Sequence, residues 1–454
     1  MAERDNAVVE VIRELLETES PDAIRSILVD VHPADLALAL SNLSKEEAVF
    51  VFSCLEAIQA ADVLAEADEE LVGVLTDRLP DQELSDLLEE MEPDDAADVV
   101  GELEDEDRAR RVLGLMAEEE RTDVEMLLAH DEESAGGIMT SDYLAFPEDW
   151  TVSQAISFLR QSKPDIHFTY AFTLDHEGRL QGVLPIQQLV WTDPQTQLRL
   201  ISDPEVVFAR VDMDQEEVAR LFIKHDLVAL PVVDSEGRLT GRITSDDVLD
   251  VLQEESSEDI FKMAGTSDDE LVTRSAWTVL LLRLPWLLIA LVGGIGCSFI
   301  LGGFEDELRQ FTYLAFYLPV IMAMGGNIGT QSSTLIVRGI ATGQVQTRNV
   351  LRTLAREARV GMMVGVVCAL LAGIFSGIYS EWVGLPSATG LVVGCSMVAS
   401  MTIATVWGSL VPLTLSRLGF DPAVASAPFI SMSNDALGLF IYLTVARVLS
   451  AQLG

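Results

Sequence analysis

Near the end of the chain, "FISMSNDALGLFIYL" sets Asn434 and Asp435 side by side in the middle of an apolar run. A carboxylate at the centre of a membrane span costs roughly 2.5–3.5 kcal/mol on insertion scales, so it calls for a hydrogen-bonding neighbour or a cation. No Lys or Arg stands within a few residues of Asp435, and all five His precede residue 226. That leaves no imidazole in this half of the chain for a proton relay or a transition-metal site. A second stretch, "MAMGGNIGTQSSTLIVRG", puts Gly325, Gly326, Asn327, Gly329, Gln331, Ser332 and Ser333 in another apolar run. Glycines alone would read as helix-packing residues, because small side chains let membrane helices approach. With so many hydrogen-bonding groups beside them, the stretch must face protein or water. The chemistry on offer is oxygen, from Asp435, Asn434, Asn327, Gln331 and backbone carbonyls. Oxygen-only donor sets suit hard cations such as Mg2+ or Ca2+. The competing reading of Asp435 is a carboxylate bonded to a neighbouring helix.

The elements that must position these residues are five long apolar stretches, at about 279–302, 312–336, 359–380, 387–416 and 424–449. Each approaches or exceeds the roughly 20 residues that span hydrocarbon. The connection between the second and third holds Arg338, Arg348, Arg352, Arg356 and Arg359, whereas the first and third connections hold only Arg309. The positive-inside rule places the Arg-rich loop and the long N-terminal part in the cytoplasm and the C-terminus outside. The opening "MAERDNAVVEVIRELL" is polar, so no cleavable signal peptide is expected. Over 454 residues, 29 Lys plus Arg stand against 73 Asp plus Glu, a formal net charge of -44. Such a chain either repels itself and solvates well or gathers cations, and nucleic acid is not an expected partner, since its binders need positive charge. The four cysteines, Cys54, Cys297, Cys368 and Cys395, lie too far apart for a zinc-ligand pattern, and no disulfide framework is expected. No nucleophile–base pair or Walker loop is present, so the sequence does not read as an enzyme.

The acidic half divides in two. Residues 1–133 read as successive amphipathic helices, with apolar residues at i, i+3, i+4 spacing. "PADLALALSNLSKEEAVFVFSCL" from Pro33 returns as "PDDAADVVGELEDEDRARRVLGL" from Pro93, each copy opened by a Pro whose missing N–H is harmless in a first turn. Repeated helix pairs predict a superhelical stack. Further on, "DHEGRLQGVL" at Asp175 returns as "DSEGRLTGRI" at Asp234, a hairpin signal between two β-rich runs. This tandem β-α pattern resembles a pair of CBS domains, at 134–200 and 201–258. The second copy ends "GRITSDDVLDVL", with Gly241, Thr244 and Asp247 matching the G-h-h-T-x-x-D ending; in the first, Gln188 replaces the Asp. Tyr170, Thr244 and Asp247 are therefore the candidates for a nucleotide such as ATP, and Gln187 and Gln188 weaken that site.

Taken whole, the sequence resembles the MgtE magnesium transporters. "AGGIMT" (135–140), "GGNIGTQ" (325–331), Arg356–Glu357 and "SNDALGLFIY" (433–442) carry the likeness. The resemblance implies a multidomain chain: an all-α N domain, a tandem α/β CBS pair, a connecting plug helix at 259–277 and a membrane domain of five helices at 278–454. It implies a homodimer in the plasma membrane, with Asp435 of each copy facing the other across a Mg2+ pore. It also implies cytoplasmic sensor carboxylates that bind regulatory Mg2+ and close the pore. Candidates are Asp94, Asp95 and Asp98; Asp214, Glu216 and Asp226; and Asp247, Asp250, Glu255, Glu258, Asp259 and Asp421. Two readings stand beside it: a proton-coupled divalent-cation carrier, and a nucleotide-sensing CBS protein with a membrane anchor and no ion flux.

Overall fold

The computed structural model describes residues 9–453 apart from 14–15, 17–20, 104, 163–167, 268–269, 271–274, 346–348, 387 and 425–426. Arg348 and part of the expected plug helix lie outside the described residues. The chain forms two compact units, Met1–Gln253 and Glu254–Gly454.

The first unit begins with a run of short helices from Pro21–Leu28 to Glu118–Leu127, each of 8 to 10 residues. Their starts are written locally. Ser44 and Glu47 form a reciprocal capping box, and Asp68 accepts from Leu71 N at 2.8 Å. Pro33 and Pro93 both stand in first helical turns, opening α1 (Pro33–Ser41) and α2 (Pro93–Gly101), as the repeat predicts. Apolar faces such as Leu36, Leu40, Ala61, Leu64, Leu84 and Val112 are almost wholly buried and join one core.

Among the described residues six strands follow in two sheets. In the first, β1 (Ala145–Pro147) runs parallel to β2 (Tyr170–Leu174), which pairs antiparallel with β3 (Leu180–Pro185). In the second, β4 (Ala209–Arg210), β5 (Ala229–Val233) and β6 (Leu239–Thr244) repeat that order. The turn glycines Gly178 and Gly237 take φ of 79° and 81°, which a β-carbon disfavours. The two hairpin tips bond to each other: Leu180 N donates to Gly237 O and Leu239 N to Gly178 O, both at 3.1 Å. The segment before the first motif also crosses over, since Thr140 and Arg242 exchange backbone hydrogen bonds. After α3 (Gln215–His225) and β6, one helix, α4 (Ser245–Ala264), runs on from the second motif. It ends at Gly265, with φ 75°.

The second unit holds five long helices: α5 (Ala276–Gly303), α6 (Leu318–Ala341), α7 (Val350–Val383), α8 (Thr389–Arg417) and α9 (Ala427–Leu453). Among the described residues four spans, within α5, α7, α8 and α9, are long and apolar enough to cross a membrane. The five-span expectation therefore stands at four by that measure. Helix α6 falls short for a physical reason: Asn327, Gln331, Ser332 and Ser333 dilute its apolar content. The plug helix expected over 259–277 is described only in part. Within the described residues, 259–264 form the last turns of α4, Gly265 follows, and Glu270 is helical ahead of α5. Small residues let the bundle close. A β-carbon on Gly390 would run into the backbone of Gly373 and Gly377, and one on Gly408 would strike Gly329 O. Trp407 Nε1 donates to Ser433 Oγ at 2.8 Å, tying α8 to α9.

Candidate functional site

In the second unit the polar residues of α6 and α9 meet. Gly326 clears the space beside Asp435: a β-carbon there would lie 3.4 Å from Asp435 Oδ1 and 3.3 Å from Ser431 Oγ. Gly329 clears the space for Asn434, whose amide would overlap a β-carbon at that position. Asn434 is wholly buried, and neither its Oδ1 nor its Nδ2 has a hydrogen-bond partner. Gly325 faces Ser400 Oγ, another buried oxygen without a partner. Asp435 itself is half-buried. Asn327 and Gln331 lie one turn apart on the exposed side of α6, away from the glycine face. The structure thus brings Asp435, Asn434, Gly325, Gly326 and Gly329 together and leaves the two α6 amides facing outward. Sequence reasoning did not single out Glu357 of α7 as a site residue. It is buried and accepts from Ser332 Oγ at 3.2 Å. Its place beside Arg356, just before an apolar stretch, was the available signal.

In the first unit α2 carries a second cluster. Asp94 is buried, its Oδ1 has no hydrogen-bond partner, and burial together with the charges of Asp247, Asp95 and Glu92 holds its carboxyl well above the usual range. Burial, then Glu92, Asp247 and Asp98, push the Asp95 carboxyl up to about 7. Asp98 is exposed one turn further along. Asp247 is raised by burial and by Asp246 and Asp250, while its Oδ2 accepts from Thr244 N at 3.0 Å and Thr244 Oγ1 at 2.8 Å. The Thr244–Asp247 pair singled out for a nucleotide is thus engaged in capping α4. Tyr170 opens β2, and Gln188 begins the short helix Gln188–Trp191. Two further members were not read from the sequence. Burial raises the Asp142 carboxyl, and the buried Arg242 opposes that shift. Nothing in "GRITSDD" marks the Arg as inward-facing.

The remaining candidates scatter. Asp214 caps α3, accepting from Glu216 N at 2.9 Å; Glu216 pairs with Arg220; Asp226 ends the same helix in the left-handed region, φ 51°. Asp214 and Asp226 therefore lie at opposite ends of α3. On α4, Glu255 and Asp259 are half-buried. Glu258 and Asp421 are joined by the chain's own cation: Lys262 Nζ pairs with Glu258 and lies 3.0 Å from Asp421 Oδ2. Burial lowers the Lys262 ammonium's affinity for its proton, but the two carboxylates outweigh it and raise its pKa. Among the described residues no group of three or more His, Cys, Asp or Glu side chains could hold a metal. The α2 cluster, which brings Asp94, Asp95 and Asp247 together, has the chemistry that attracts a hard cation without forming such a group. It supplies carboxylate oxygen, an unpartnered Asp94 Oδ1 and mutual repulsion that a cation relieves.

Residues 318–445 match the family model described as a divalent cation transporter, 31–133 that of the MgtE intracellular N domain, and 135–191 and 199–254 that of the CBS domain. The chain is 40% identical over 443 residues to the magnesium transporter MgtE of Thermus thermophilus, 96% of this chain and 97% of that one. It is 35% identical over 324 residues to the magnesium transporter MgtE of Bacillus subtilis, 71% of each. The crystal structure of the cytosolic domain of the Mg2+ channel MgtE in complex with ATP aligns at 39% identity and a TM-score of 0.51, over 54% of this chain and 99% of that one. The soluble part of a magnesium transporter aligns at 25% identity and a TM-score of 0.50, over 56% and 99%.

Proposed function

This chain belongs to the MgtE family of magnesium transporters, and from that premise we propose that Asp435 is the pore ligand of a homodimeric Mg2+ channel closed by cytosolic Mg2+. It is a transport protein and not an enzyme. The observation that carries the pore reading is the glycine-cleared face of α6, which receives Asn434 and Asp435 while Asn327 and Gln331 stay exposed. Two exposed amides one turn apart cannot face lipid, so that side of α6 adjoins a hydrated path or a second copy. Mg2+ dehydrates reluctantly and binds through one or two carboxylates while keeping several waters. A pair of Asp435 carboxylates, one from each copy, meets that need and is neutralised by one dication.

Gating rests on the α2 cluster. Without Mg2+, Asp94, Asp95 and Asp247 repel one another in a desolvated setting; with Mg2+, the repulsion becomes attraction. A ligand shifts an equilibrium only by its differential affinity for the two states, so several carboxylate sites on one conformational change give a steep response. Asp214, Glu216, Asp226, Asp250, Glu255 and Asp259 are the outer candidates. ATP is bound by the relative's cytosolic domain. Here Tyr170 and the Thr244–Asp247 pair would meet a nucleotide, and Gln188 weakens its ribose contact. The Arg-rich loop and the acidic domains are assigned to the cytoplasm.

The test is Mg2+ current in patches of the full chain and of Asp435→Ala, with cytosolic-side Mg2+ stepped from micromolar to millimolar. Wild type should conduct at low Mg2+ and close as it rises, and the variant should lose Mg2+ selectivity. Selective Mg2+ flux through Asp435→Ala would overturn the assignment. Uptake that collapses with the pH gradient at clamped voltage would favour the proton-coupled carrier.

A further inference from the structure

Helix α7 enters the bundle with Arg352, Arg356 and Arg359 exposed, while Glu357 among them is 7% exposed. Its hydrogen-bond partner is Ser332 Oγ on α6, at 3.2 Å. Among the described residues no Lys or Arg forms an ion pair with it; Arg283, Arg309 and Arg447 pair with Glu270, Glu305 and Glu307. The Ser332 bond is long beside the roughly 2.5–2.7 Å of a charge-assisted O–H···O⁻ contact, so the hydroxyl alone does not balance the charge. A neutral glutamine would make the same link at lower cost to insertion. A buried carboxylate that no described Lys or Arg pairs with points to use of its charge.

Position says what that use is. Ser332 lies six residues beyond Gly326, the residue beside Asp435, and so about 9 Å further along α6 toward the Arg-rich connection. A dication passing Asp435 in that direction meets the positive field of Arg338, Arg352, Arg356 and Arg359, all exposed near the ends of α6 and α7. A buried negative charge in between offsets that field. We infer that Glu357 is a second buried carboxylate that serves the divalent cation. It acts through its field rather than by coordination, with its rotamer fixed by Ser332. This inference rests on the assignment of Asp435 to the ion path.

The experiment is Mg2+ uptake by the full-length protein in liposomes over graded external Mg2+, with Mg2+-over-K+ permeability read from reversal potentials. Glu357→Gln keeps the acceptor for Ser332 and removes the charge; Glu357→Asp keeps the charge. Glu357→Gln should raise the half-saturating Mg2+ at least about threefold and lower Mg2+-over-K+ permeability, as expected for loss of a unit charge near a dication. Glu357→Asp and Ser332→Ala should stay nearer to wild type. The inference is overturned if Glu357→Gln matches wild type in both readouts. It is equally overturned if Gln and Asp impair uptake to the same degree, since the carboxyl is then a packing group. Should Glu357→Gln fail to give a monodisperse, cooperatively melting protein, Glu357→Asp decides alone: wild-type half-saturation supports the inference and a Mg2+ affinity lost with normal folding overturns it. Asp435→Asn is run in parallel, and unaltered selectivity in that variant sinks the pore assignment whatever Glu357 does.

Discussion

At the scale of single residues, Asp94 and Asp95 carry most of the argument for sensing, and their protonation gives it a sign. The folded chain holds the Asp95 carboxyl at about 7, above its ordinary 3.8, because burial and neighbouring carboxylates disfavour the anion. A folded group with a raised pKa contributes stability that is complete below pH 4 and is lost as pH climbs toward 7. Without Mg2+, the amides of α2 should therefore lose hydrogen-exchange protection between pH 5 and pH 8, after correction for intrinsic rates. Protection added by millimolar Mg2+ should be larger at pH 8, where no proton competes for the oxygens. Asp94→Asn removes a charge from the cluster and should stabilise the Mg2+-free form by about 1 kcal/mol while cutting the Mg2+-induced gain. Equal Mg2+ protection in wild type and Asp94→Asn would remove Asp94 from the sensor. Of this cluster, Asp94, Asp95 and Asp247 are legible in the sequence because they stand in acidic runs. Arg242 and Asp142 are not, since their meeting depends on the backbone exchange between Thr140 and Arg242. No local pattern predicts that pairing.

At the scale of elements, the helices of the first unit were legible where caps write them, as Pro33 and Pro93 show. Helix α4 runs through the expected 258/259 boundary, where the sequence carries no stop signal, and ends at Ala264 before Gly265. Lys262 on its last turn joins Glu258 to Asp421, each about a third exposed, so the pair is worth at most about 1 kcal/mol. Its consequence lies in specificity rather than stability: an ammonium already stands where a dication would bridge Glu258 and Asp421. Lys262→Gln should vacate that position and sharpen the Mg2+ dependence of closure, visible as a steeper inhibition curve in patches. An unchanged slope would mean that the bridge plays no part in gating. In α6, Gly329 is the element's closest tolerance. Gly329→Ala drives a methyl into the Asn434 amide and should cost about 1–3 kcal/mol, seen as an earlier thermal loss of monodisperse protein. Gly326→Ala, whose nearest contacts are 3.3–3.4 Å, should be milder.

At the scale of the whole molecule, five apolar stretches announced the membrane part, yet α6, the helix we propose to line the pore, is the one whose composition disguises it. The polar residues that fit it for that proposed role also make it less apolar than the other four long helices. If Asn327 faces a second copy, Asn327→Cys in a background without the four native cysteines should form a disulfide-linked dimer in membranes under mild oxidation. A variant that stays monomeric on gels would place that face elsewhere. The joined hairpin tips bear on a different matter. Because Leu180 bonds Gly237 as Leu239 bonds Gly178, the two β-α motifs are related by a pseudo-two-fold rotation inside one chain. That rotation carries position 188 onto position 247, a glutamine onto an aspartate. A perfect rotation would duplicate every binding event. Here the symmetry is broken at the residue that answers to Asp94, so this one cluster should take up one bridging ion per chain and not two, and its titration should saturate at that stoichiometry.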